Sequence, residues 1–599
     1  MAKIHQLDTN TANKIAAGEV IERPANVIKE CVENAIDAQA TKIDVEVIEG
    51  GSVLMRITDN GIGMDKDDAQ MCFARHATSK ITDDHDLFNI TTLGFRGEAI
   101  PSIASISLFT LETSVGDEKG TRVIYEFGVK KSVESCALNK GTRITVEKIF
   151  QNVPARLKYM KSVNTEFAAI YTYIERLSLA HPEIAFSLTH NGKMIYATNG
   201  QGKLLEVIAT IYGLNIAKHM KKCDFGNEEF TITGYTSDET ISRASKNHII
   251  TLVNHRYVKN KKSIDAINEV YRAYLMNKRY PITVINIEVD PYLVDVNVHP
   301  AKLEVRFSKE SLLKEMITEG FNEVLAPQRE EAPPAAVPPK VSFAPKEVAT
   351  QLHFKLPEAE ETPSLIKKPE TAYEEKQVPN IKVKEMAPVY QMPPQPTHQE
   401  EKKVLKPMKE KIYVKAQLQG SYIVGENEKG IYLIDQKRAM DNIAYEKYKE
   451  DLAQMKPAMQ DLIVPLMFEL PESEYLLLEE KKDDLLSLGI DLQPISKNTY
   501  CVRALPLWMD DVDEQAFIED MIQVLITQDD PDLIALRDQA LLSLAKHQKL
   551  AYNTHLSQYE MQSLVDELMR CSDPYRDLNK RQVIIFKSNY ELMQLFKKG

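Results

Sequence analysis

A change in composition divides the chain in two, and it limits the folds that the chain can adopt. Residues 327–410 are rich in Pro, Glu, Lys and Ala and lack apolar periodicity, as in the stretch EEAPPAAVPPK. A segment of this kind cannot bury enough apolar surface to offset the entropy that folding costs. We therefore expect a disordered linker at 327–410, with folded regions before and after it.

The two flanking regions have the composition of globular domains. The 599 residues are 43% hydrophobic and 27% charged, and a chain of this length holds about three domains. We expect no membrane span, because no apolar run reaches the ~20 residues of a membrane helix. The N-terminus, MAKIHQLDTN, lacks the apolar core of a signal peptide. Scattered cysteines without a C-x-x-C pair favour a reducing compartment over disulfides or a thiolate zinc site.

The first motif is a pair of polar residues on a predicted helix. ANVIKECVENAIDA, at 25–38, has apolar residues at helical spacing behind Pro24, and it places Glu30 and Asn34 one turn apart on one face. A glutamate there can act as a general base toward water, and an asparagine oxygen can bind Mg²⁺. Solvated helix faces carry the same pair, so this motif alone leaves both interpretations open.

The second motif is a glycine-containing turn at the end of a predicted strand. Residues 41–51 and 52–61 read as two strands around a Gly-Gly turn, and the second ends in D-N-G-I-G. Asp59 can accept a hydrogen bond from an adenine amino group, while Gly61 and Gly63 let the backbone approach a ligand. An ordinary D-N-G turn is the alternative.

The third motif is G-F-R-G-E, which precedes the predicted helix AIPSIASIS. Backbone N–H groups at the start of a helix form a phosphate cradle, although a loop with a capping turn looks the same. Upstream, the polar and basic stretch RHATSK suits a lid near phosphates, and its lone histidine is more often structural than catalytic. The candidate nucleotide-binding residues in these two stretches are Thr78, Ser79, Lys80, Gly94, Phe95, Arg96, Gly97 and Glu98.

Together, these motifs resemble the GHKL (Bergerat) ATPase superfamily. The order is E-x-x-x-N, D-x-G-x-G, G-x-x-G-E and then Gly141-Thr142, and no Walker G-x-x-x-x-G-K-[ST] is present. The superfamily includes a gyrase ATPase subunit, a class of heat-shock chaperones, histidine kinases and MutL proteins. Longer strings are similar to the MutL mismatch-repair branch nearly residue for residue: IAAGEVIERPANVIKECVENAIDA, RHATSKI, GFRGEAIPSIASIS, VPARLKYMK and DVNVHPAKLEVRF.

This resemblance is strong over about 1–325 and weak over about 412–599, and it implies an α+β multidomain architecture. A GHKL ATPase α/β sandwich is expected at 1–205, a ribosomal-S5-like transducer domain at 206–326, and an α/β C-terminal dimerisation domain at 411–599. The implied function is a DNA mismatch-repair ATPase that acts as an ATP-switched dimeric matchmaker. The implied partners are a second copy of the chain, DNA without sequence preference, the mismatch sensor MutS, a sliding clamp and a downstream nuclease or helicase, in the cytoplasm at the nucleoid.

The resemblance also assigns roles in the binding of ATP and Mg²⁺. Glu30 is implied as the general base, Asn34 as the Mg²⁺ ligand and Asp59 as the adenine contact. Thr142 is implied to support the adenine end through water, and Lys80 and the amides around Arg96, Gly97 and Glu98 are implied to contact the phosphates. Lys302, within the string V-H-P-A-K, is implied to reach the γ-phosphate from the following domain, and a surface lysine is the alternative.

A basic strip lies between residues 253 and 279. The net charge of −13 does not exclude DNA binding, because affinity follows local basic patches. Such a strip can follow phosphates without reading sequence, although a solvated lysine-rich loop has the same composition. The candidate DNA-binding residues are Arg256, Lys259, Lys261 and Lys262.

The C-terminal region departs from the metal site of MutL proteins that nick DNA. The family string D-Q-H-A-x-x-E-x-x-x-x-E reads here as Asp435 to Glu446, with Lys437 at the histidine position and Asp441 at the first glutamate. A lysine brings a cation where a metal must sit. Two further strings also depart, because Lys546 replaces a cysteine and 577–582 contain neither Cys nor His. Asp435, Glu446, His547 and Asp577 remain as weak candidate ligands, and we expect no nicking activity.

A short string in the same region resembles the clamp-docking peptide Q-x-L-x-x-P of MutL proteins. Its residues are Gln460, Leu462 and Pro465, and an edge strand of the domain core is the alternative. The apolar helices that follow fit a dimer interface, although a monomeric core has the same periodicity.

Three other functions compete with the matchmaker. A latent metal-dependent nicking endonuclease is disfavoured by Lys437 and Lys546. A topoisomerase subunit needs an acidic metal-binding module after the second domain, where this chain has its Pro-rich segment. A chaperone or histidine kinase shares the ATP motifs, but a kinase needs a phospho-acceptor histidine helix upstream, and few residues precede Asn34.

Overall fold

The structure is a computed structural model, and it describes most of the two flanking regions. The described residues are 21–80, 94, 97–116, 119–275, 279–295, 305–326, 408–452, 459–509, 512–528, 533–546, 555–577 and 580–597. The expected linker therefore lies outside the described residues, apart from its last three positions.

An eight-stranded sheet forms the centre of the N-terminal region, in the order β5-β4-β3-β6-β2-β1-β7-β8. All neighbours run antiparallel except β1 and β7, which are parallel. The strands are β1 (Lys42–Ile48), β2 (Leu54–Asp59), β3 (Leu108–Ser114), β4 (Gly120–Glu126), β5 (Val129–Cys136), β6 (Gly141–Glu147), β7 (Ala185–His190) and β8 (Lys193–Ala197). In β1, the residues of KIDVEVI alternate between buried and more exposed positions. This alternation is typical of a strand, because successive side chains of a strand point to opposite faces of the sheet.

Helices cover this sheet and complete its core. They are α1 (Pro24–Asp37), α2 (Lys66–Met71), α3 (Ala99–Ser105), α4 (Pro154–Tyr159), α5 (Val163–Ala180), α6 (Leu204–Tyr212) and α7 (Leu214–Lys218). The buried apolar face of α1 packs on the sheet and on α5. The expected domain boundary at 205/206 falls within α6, whose buried residues belong to this first core.

A second, five-stranded sheet follows, in the order β12-β11-β13-β10-β9. Its strands are β9 (Met220–Gly226), β10 (Phe230–Ser237), β11 (Ile249–Val253), β12 (Arg256–Val258) and β13 (Thr283–Val289). Helices α8 (Lys261–Tyr271) and α9 (Glu310–Leu325) pack against each other over a separate core, and the short pair β14 (Val294–Asp295) and β15 (Arg306–Phe307) lies beside them.

The C-terminal region contains two smaller sheets. The first has the order β16-β17-β18-β22, and the second has the order β19-β21-β20. The strands are β16 (Tyr413–Leu418), β17 (Tyr422–Asn427), β18 (Gly430–Asp435), β19 (Met459–Glu469), β20 (Gln493–Ser496), β21 (Thr499–Pro506) and β22 (Ile584–Ser588). The helices are α10 (Gln436–Leu452), α11 (Glu472–Glu479), α12 (Glu514–Thr527), α13 (Leu533–Lys546), α14 (Gln558–Leu568) and α15 (Asn589–Lys597).

Several local predictions are confirmed. The helix predicted at 25–38 spans Pro24–Asp37, and the strands predicted around the Gly-Gly turn are β1 and β2 in antiparallel pairing. The helix predicted after G-F-R-G-E is α3.

Candidate functional site

Helix α1 presents the first two site residues on its less buried side. Pro24 occupies the first turn, where its missing N–H costs nothing, and Arg23 precedes it as the N-cap. Glu30 and Asn34 lie one turn apart, and Glu30 Oε1 accepts a hydrogen bond from Lys29 Nζ at 3.1 Å. The Glu30 side chain keeps 25% of its surface exposed, so water can reach it. The buried face of the helix consists of Ala25, Val27, Ile28, Cys31, Val32 and Ala35.

Lys80 reaches back to this helix and joins its C-terminal turn. Lys80 Nζ lies 2.8 Å from Asn34 Oδ1 and 2.5 Å from Asp37 Oδ2. The same Asp37 oxygen accepts a hydrogen bond from the Gly94 amide at 3.1 Å. Sequence reasoning assigned Lys80, Asn34 and Gly94 to the site but missed Asp37. Its position one turn after Asn34, on the same face, was the available signal.

Asp59 lies at the end of β2 and faces the turn that follows. Its Oδ1 accepts hydrogen bonds from the amides of Gly61 at 2.8 Å and Thr142 at 3.3 Å. Burial raises the pKa of Asp59 to about 6, although these two N–H groups act to lower it. The Thr142 hydroxyl, itself buried, lies 3.1 Å from the hydroxyl of Thr113. The structure therefore brings the two residues expected at the adenine end together.

Two glycines allow this close packing. Gly63 has φ +72°, and a Cβ there would meet the carbonyl oxygen of Ser114 at 2.1 Å. Gly141 has φ +128°, and its Cβ would meet the carbonyl oxygen of Asp59 at 2.1 Å. Both backbone conformations are rare for residues with a side chain. The glycines of the motifs are thus required by the fold around Asp59.

The other expected phosphate residues lie near Lys80 and Gly94. His76 donates its amide to the Gly97 carbonyl at 3.2 Å, and its ring lies 3.6 Å from Glu98, which is the N-cap residue of α3. The side chains of Thr78 and Ser79 are exposed. Three expected site residues lie outside the described residues: Phe95, Arg96 and Lys302.

These contacts define a site that fits a magnesium nucleotide. An amide oxygen and a carboxylate oxygen already share one cation, the Lys80 ammonium, and hard oxygen ligands of this kind suit Mg²⁺. Asn34 and Asp37 are the residues that fit the metal. A carboxylate for water activation lies one turn away at Glu30, and a carboxylate for an adenine amino group lies at Asp59.

The four candidate DNA-binding residues do not share one environment. Lys259 and Lys261 are exposed on either side of Asn260, the N-cap residue of α8, and exposed Lys262 forms an ion pair with Glu310. Arg256 is half-buried in β12. Its pKa is lowered by burial, against an opposing effect from the nearby carboxylates of Glu33, Asp37 and Glu30. Arg256 therefore faces the acidic side of helix α1 rather than the exposed strip.

The C-terminal acidic residues are already paired with neighbouring groups of the chain. Asp435 Oδ2 lies 3.3 Å from Arg438 Nε, and Asp577 Oδ2 lies 2.7 Å from Arg581 Nε. Glu446 accepts hydrogen bonds from the amide and hydroxyl of Ser572. Within the described residues, no group of three or more His, Cys, Asp and Glu side chains is arranged to hold a metal.

Two positions of the family metal site remain, namely Asp441, which stands at the first glutamate position, and the candidate ligand His547. Burial raises the pKa of Asp441 to about 6, although nearby Lys437 acts to lower it. One Asp441 oxygen, Oδ1, is buried without a hydrogen-bond partner among the described residues. His547 lies outside the described residues.

The expected clamp-docking string lies on strand β19, where the strand bulges. The pairing of β19 with β21 shifts between Asp461 and Leu466, and this shift turns Ile463 and Val464 outward. Gln460 is exposed, while Leu462 and Pro465 are half-buried. A bulged strand that presents its side chains to solvent suits docking by a partner better than a fully paired core strand does.

Comparisons with known proteins agree with this geometry. The family model described as a histidine kinase-, DNA gyrase B- and HSP90-like ATPase matches residues 19–148. A model of the DNA mismatch repair protein, C-terminal domain, matches 208–326, and a model of the MutL C terminal dimerisation domain matches 415–556. No helix in the described parts of the chain has the length and apolarity to cross a membrane.

Full-length relatives are similar over their entire length. The DNA mismatch repair protein MutL of Geobacillus sp. (strain WCH70) is 40% identical, and the alignment covers 100% of both chains. The corresponding protein of Anoxybacillus flavithermus is 41% identical, again over 100% of both chains. A solved N-terminal domain of a DNA repair protein is 26% identical, with a TM-score of 0.46, and covers 52% of this chain and 97% of that chain. The relatives and the family models confirm the expected ATPase fold and C-terminal dimerisation domain.

Proposed function

The chain belongs to the MutL family of DNA mismatch repair proteins, and on that premise we propose that Mg²⁺-dependent ATP hydrolysis at Glu30 is its only chemistry. The observation that carries this proposal is the meeting of Lys80, Asn34 and Asp37 on the helix that carries Glu30. Glu30 accepts a proton from the attacking water, and Lys29 holds its carboxylate in place. Bound Mg²⁺ supplies charge neutralisation at the phosphates.

The remaining site residues bind and orient the nucleotide. The free Asp59 oxygen accepts a hydrogen bond from the adenine amino group, and Thr142 supports the same end through water. Lys80, together with the backbone around Gly94 and Gly97, contacts the phosphates. Lys302 is assigned to the γ-phosphate on the family resemblance alone. The test is an ADP titration of full-length protein and of Asp59→Ala, which we expect to bind at least tenfold more weakly, as loss of a buried hydrogen bond predicts.

ATP binding then serves as a switch between two states of a dimer. Contacts to the γ-phosphate exist only with ATP, so they supply the free-energy difference that favours one state. In this role the protein acts as a matchmaker between the mismatch sensor MutS and downstream excision factors, on DNA in the cytoplasm. The alternative functions, a topoisomerase subunit or a chaperone, are not favoured by the family match over all 599 residues.

Nicking of DNA is not part of this proposal. The acidic residues that could bind a catalytic metal are committed to Arg438, Arg581 and Ser572, and Lys437 adds a further positive charge. A supercoiled plasmid incubated with the full chain, Mn²⁺ and sliding clamp should remain intact. Nicking that disappears in Asp435→Asn would show that the metal site works.

The dimer interface is assigned to the outer face of the β16-β17-β18-β22 sheet. On β18, Tyr432 and Ile434 are buried beneath the helices, while Leu433 lies on the other face, between Val424 and Ile585 of the neighbouring strands. The uncovered apolar side chains of this outer face and of α15 include Tyr413, Leu418, Tyr422, Ile431, Ile585, Tyr590, Met593 and Leu595.

A second copy of the chain is the occupant that the dimerisation-domain match supports. We expect Ile431→Glu with Ile585→Glu to convert the protein to a monomer in light scattering. Leu486→Glu, at an exposed position in the same region, is the matched control and should remain dimeric.

DNA binding is assigned to the exposed lysines at the start of α8. Lys259, Lys261 and Lys262 have the flexible ammonium groups that follow phosphates without reading bases. Changing both Lys261 and Lys262 to Glu should weaken DNA binding. It should also reduce the slope of log affinity against log salt concentration by about one to two, which is the effect of losing one to two phosphate contacts. Lys193→Glu, at an exposed position of edge strand β8, is the control, and equal loss in both variants would contradict the assignment.

Clamp binding is assigned to the bulged part of β19. Gln460→Ala with Leu462→Ala should abolish capture by a sliding clamp, because both side chains belong to the docking string. Val464→Ala, at an exposed variable position of the same string, is the control and should bind as well as wild type. Binding that survives the first change would remove this assignment without affecting the ATP site.

A further inference from the structure

The Lys80 ammonium contacts the two side-chain oxygens of helix α1 that would hold a metal ion. Its nitrogen lies 2.8 Å from Asn34 Oδ1 and 2.5 Å from Asp37 Oδ2. The pair is shielded from solvent, because the Asp37 side chain is only 7% exposed and that of Lys80 is 19% exposed. The contact therefore joins two parts of the site that are far apart in sequence, and it is stronger than an exposed ion pair.

Binding of both cations to one oxygen would place two positive charges close together. Mg²⁺ binds oxygen at about 2.1 Å and keeps a full octahedral shell, so an ammonium on the same Asn34 oxygen would repel it at close range. Lys80 must leave this position when a magnesium nucleotide binds, and the phosphates offer the ammonium a new set of oxygens. The charge on Asp37 determines how much free energy that departure costs.

We propose that Asp37 is a positioning residue that holds Lys80 on Asn34 in the nucleotide-free protein, so that the metal position is kept filled until Mg²⁺ and nucleotide replace the ammonium together. This inference rests on the proposed nucleotide site. Asp37 is suited to the role because the oxygen that holds Lys80 also accepts the Gly94 amide. The last residue of α1 thus contacts both sequence stretches that are expected at the phosphates.

The proposal predicts an unusual direction of effect. A residue that merely stabilises the fold, or that binds nucleotide, weakens nucleotide binding when it is changed. Asp37 stabilises the empty state, so Asp37→Asn should strengthen binding of ADP in the absence of metal. The amide keeps an oxygen for the Gly94 N–H but loses the charge that holds Lys80. Binding of ADP with Mg²⁺ should change less, because the Asp37 carboxylate then interacts with the metal shell in place of the ammonium.

The experiment is ADP titration of the full chain in EDTA and in excess Mg²⁺. We expect Asp37→Asn to bind metal-free ADP about three- to tenfold more tightly than wild type, as the loss of one charge-assisted contact predicts. The Mg²⁺-induced gain in affinity should shrink by a similar factor. Glu33→Gln is the matched control, since it removes the same charge from the same helix but its carboxylate pairs with Lys29 at 3.5 Å. It should leave both affinities unchanged.

Two measurements with the Lys80→Met change provide further tests of the inference. In a Lys80→Met background, Asp37→Asn should no longer tighten metal-free ADP binding, because no ammonium remains to be released. Lys80→Met alone should bind Mn²⁺ without nucleotide more tightly than wild type, and this measurement stands even if Asp37→Asn fails to fold. Weaker or unchanged metal-free binding in Asp37→Asn, or no gain of Mn²⁺ in Lys80→Met, would overturn the inference. Failure of the wild-type chain to bind ADP at all would instead overturn the proposed function.

Discussion

Each end of the chain carries a cluster of acidic and amide oxygens, and the two clusters are neutralised in different ways. At the N-terminal site, Asn34 and Asp37 share Lys80, which arrives from a distant part of the sequence. In the C-terminal cluster, Asp435 pairs with Arg438 and Asp577 pairs with Arg581, three and four residues away. A lysine from a distant part of the sequence can move away when the segment that carries it changes conformation. A cation on the same local turn stays beside its carboxylate. The comparison explains why one cluster is suited to exchange ligands and the other is not.

The largest expected effect concerns the chemistry of the N-terminal cluster. Glu30→Ala should lower the rate of ATP hydrolysis by about 10²-fold or more, because a positioned general base contributes that much. Nucleotide affinity should change by only a few-fold, since Glu30 contacts the water rather than the nucleotide. Steady-state phosphate release with a parallel binding titration measures both quantities.

Glu33→Ala is the control for this change, because Glu33 lies on the same helix and also pairs with Lys29. Its hydrolysis rate should stay within a few-fold of wild type. If Glu30→Ala retained full activity, the N-terminal cluster would not be catalytic and the comparison would lose its basis.

The next effect concerns the stability of the C-terminal cluster. Arg581→Ala removes the guanidinium from Asp577, whose side chain is only 6% exposed. We expect the free energy of unfolding of this region to fall by about 1–2 kcal/mol, less than for a fully buried pair because Arg581 itself is half-exposed. Chemical denaturation followed by circular dichroism measures the change.

Lys587→Ala provides the contrast, since its ion pair with Glu591 is exposed on both sides. That change should cost less than about 0.5 kcal/mol. An Arg581→Ala protein as stable as wild type would mean that the local cations do not hold the cluster together, and would weaken the contrast with Lys80.

The smallest effect is a pH dependence at the adenine end. The pKa of Asp59 is raised to about 6 by burial, so its carboxylate is ionised at pH 8 and becomes protonated as the pH falls through 6. Protonation removes a charged acceptor for the adenine amino group. ADP affinity should therefore decrease a few-fold between pH 7.5 and pH 5.5. Asp59→Asn should bind more weakly and lose this pH dependence, and a wild-type affinity that is flat across the range would contradict the assigned contact.

The sequence predicted most of the N-terminal site because its motifs are local. Helical spacing places Glu30 beside Asn34, and the end of a strand places Asp59 at the turn, so short-range rules are sufficient. The contact of Lys80 with Asp37 was not predicted, because it depends on how two distant segments meet. The position of Arg256 beside the acidic face of α1 was missed for the same reason, since a basic strip in sequence does not reveal which members turn inward.

In the C-terminal region, the sequence predicted the loss of metal ligands but not their replacement contacts. Lys437 was visible as a substitution at a ligand position, whereas the pairing of Asp577 with Arg581 required the local turn to be known. The exposure of Ile463 and Val464 could not be predicted either, because a bulge interrupts the alternation of buried and exposed residues in β19.

The most direct test of the central claim is a count of Mn²⁺ ions bound to the full chain, by electron paramagnetic resonance, with and without ADP. The account predicts one tightly bound Mn²⁺ per chain that requires ADP, is lost in Asn34→Ala and is unaffected by Asp435→Asn. A tightly bound Mn²⁺ that needs no nucleotide and disappears in Asp435→Asn would show that the C-terminal cluster is a working metal site, and would contradict the account.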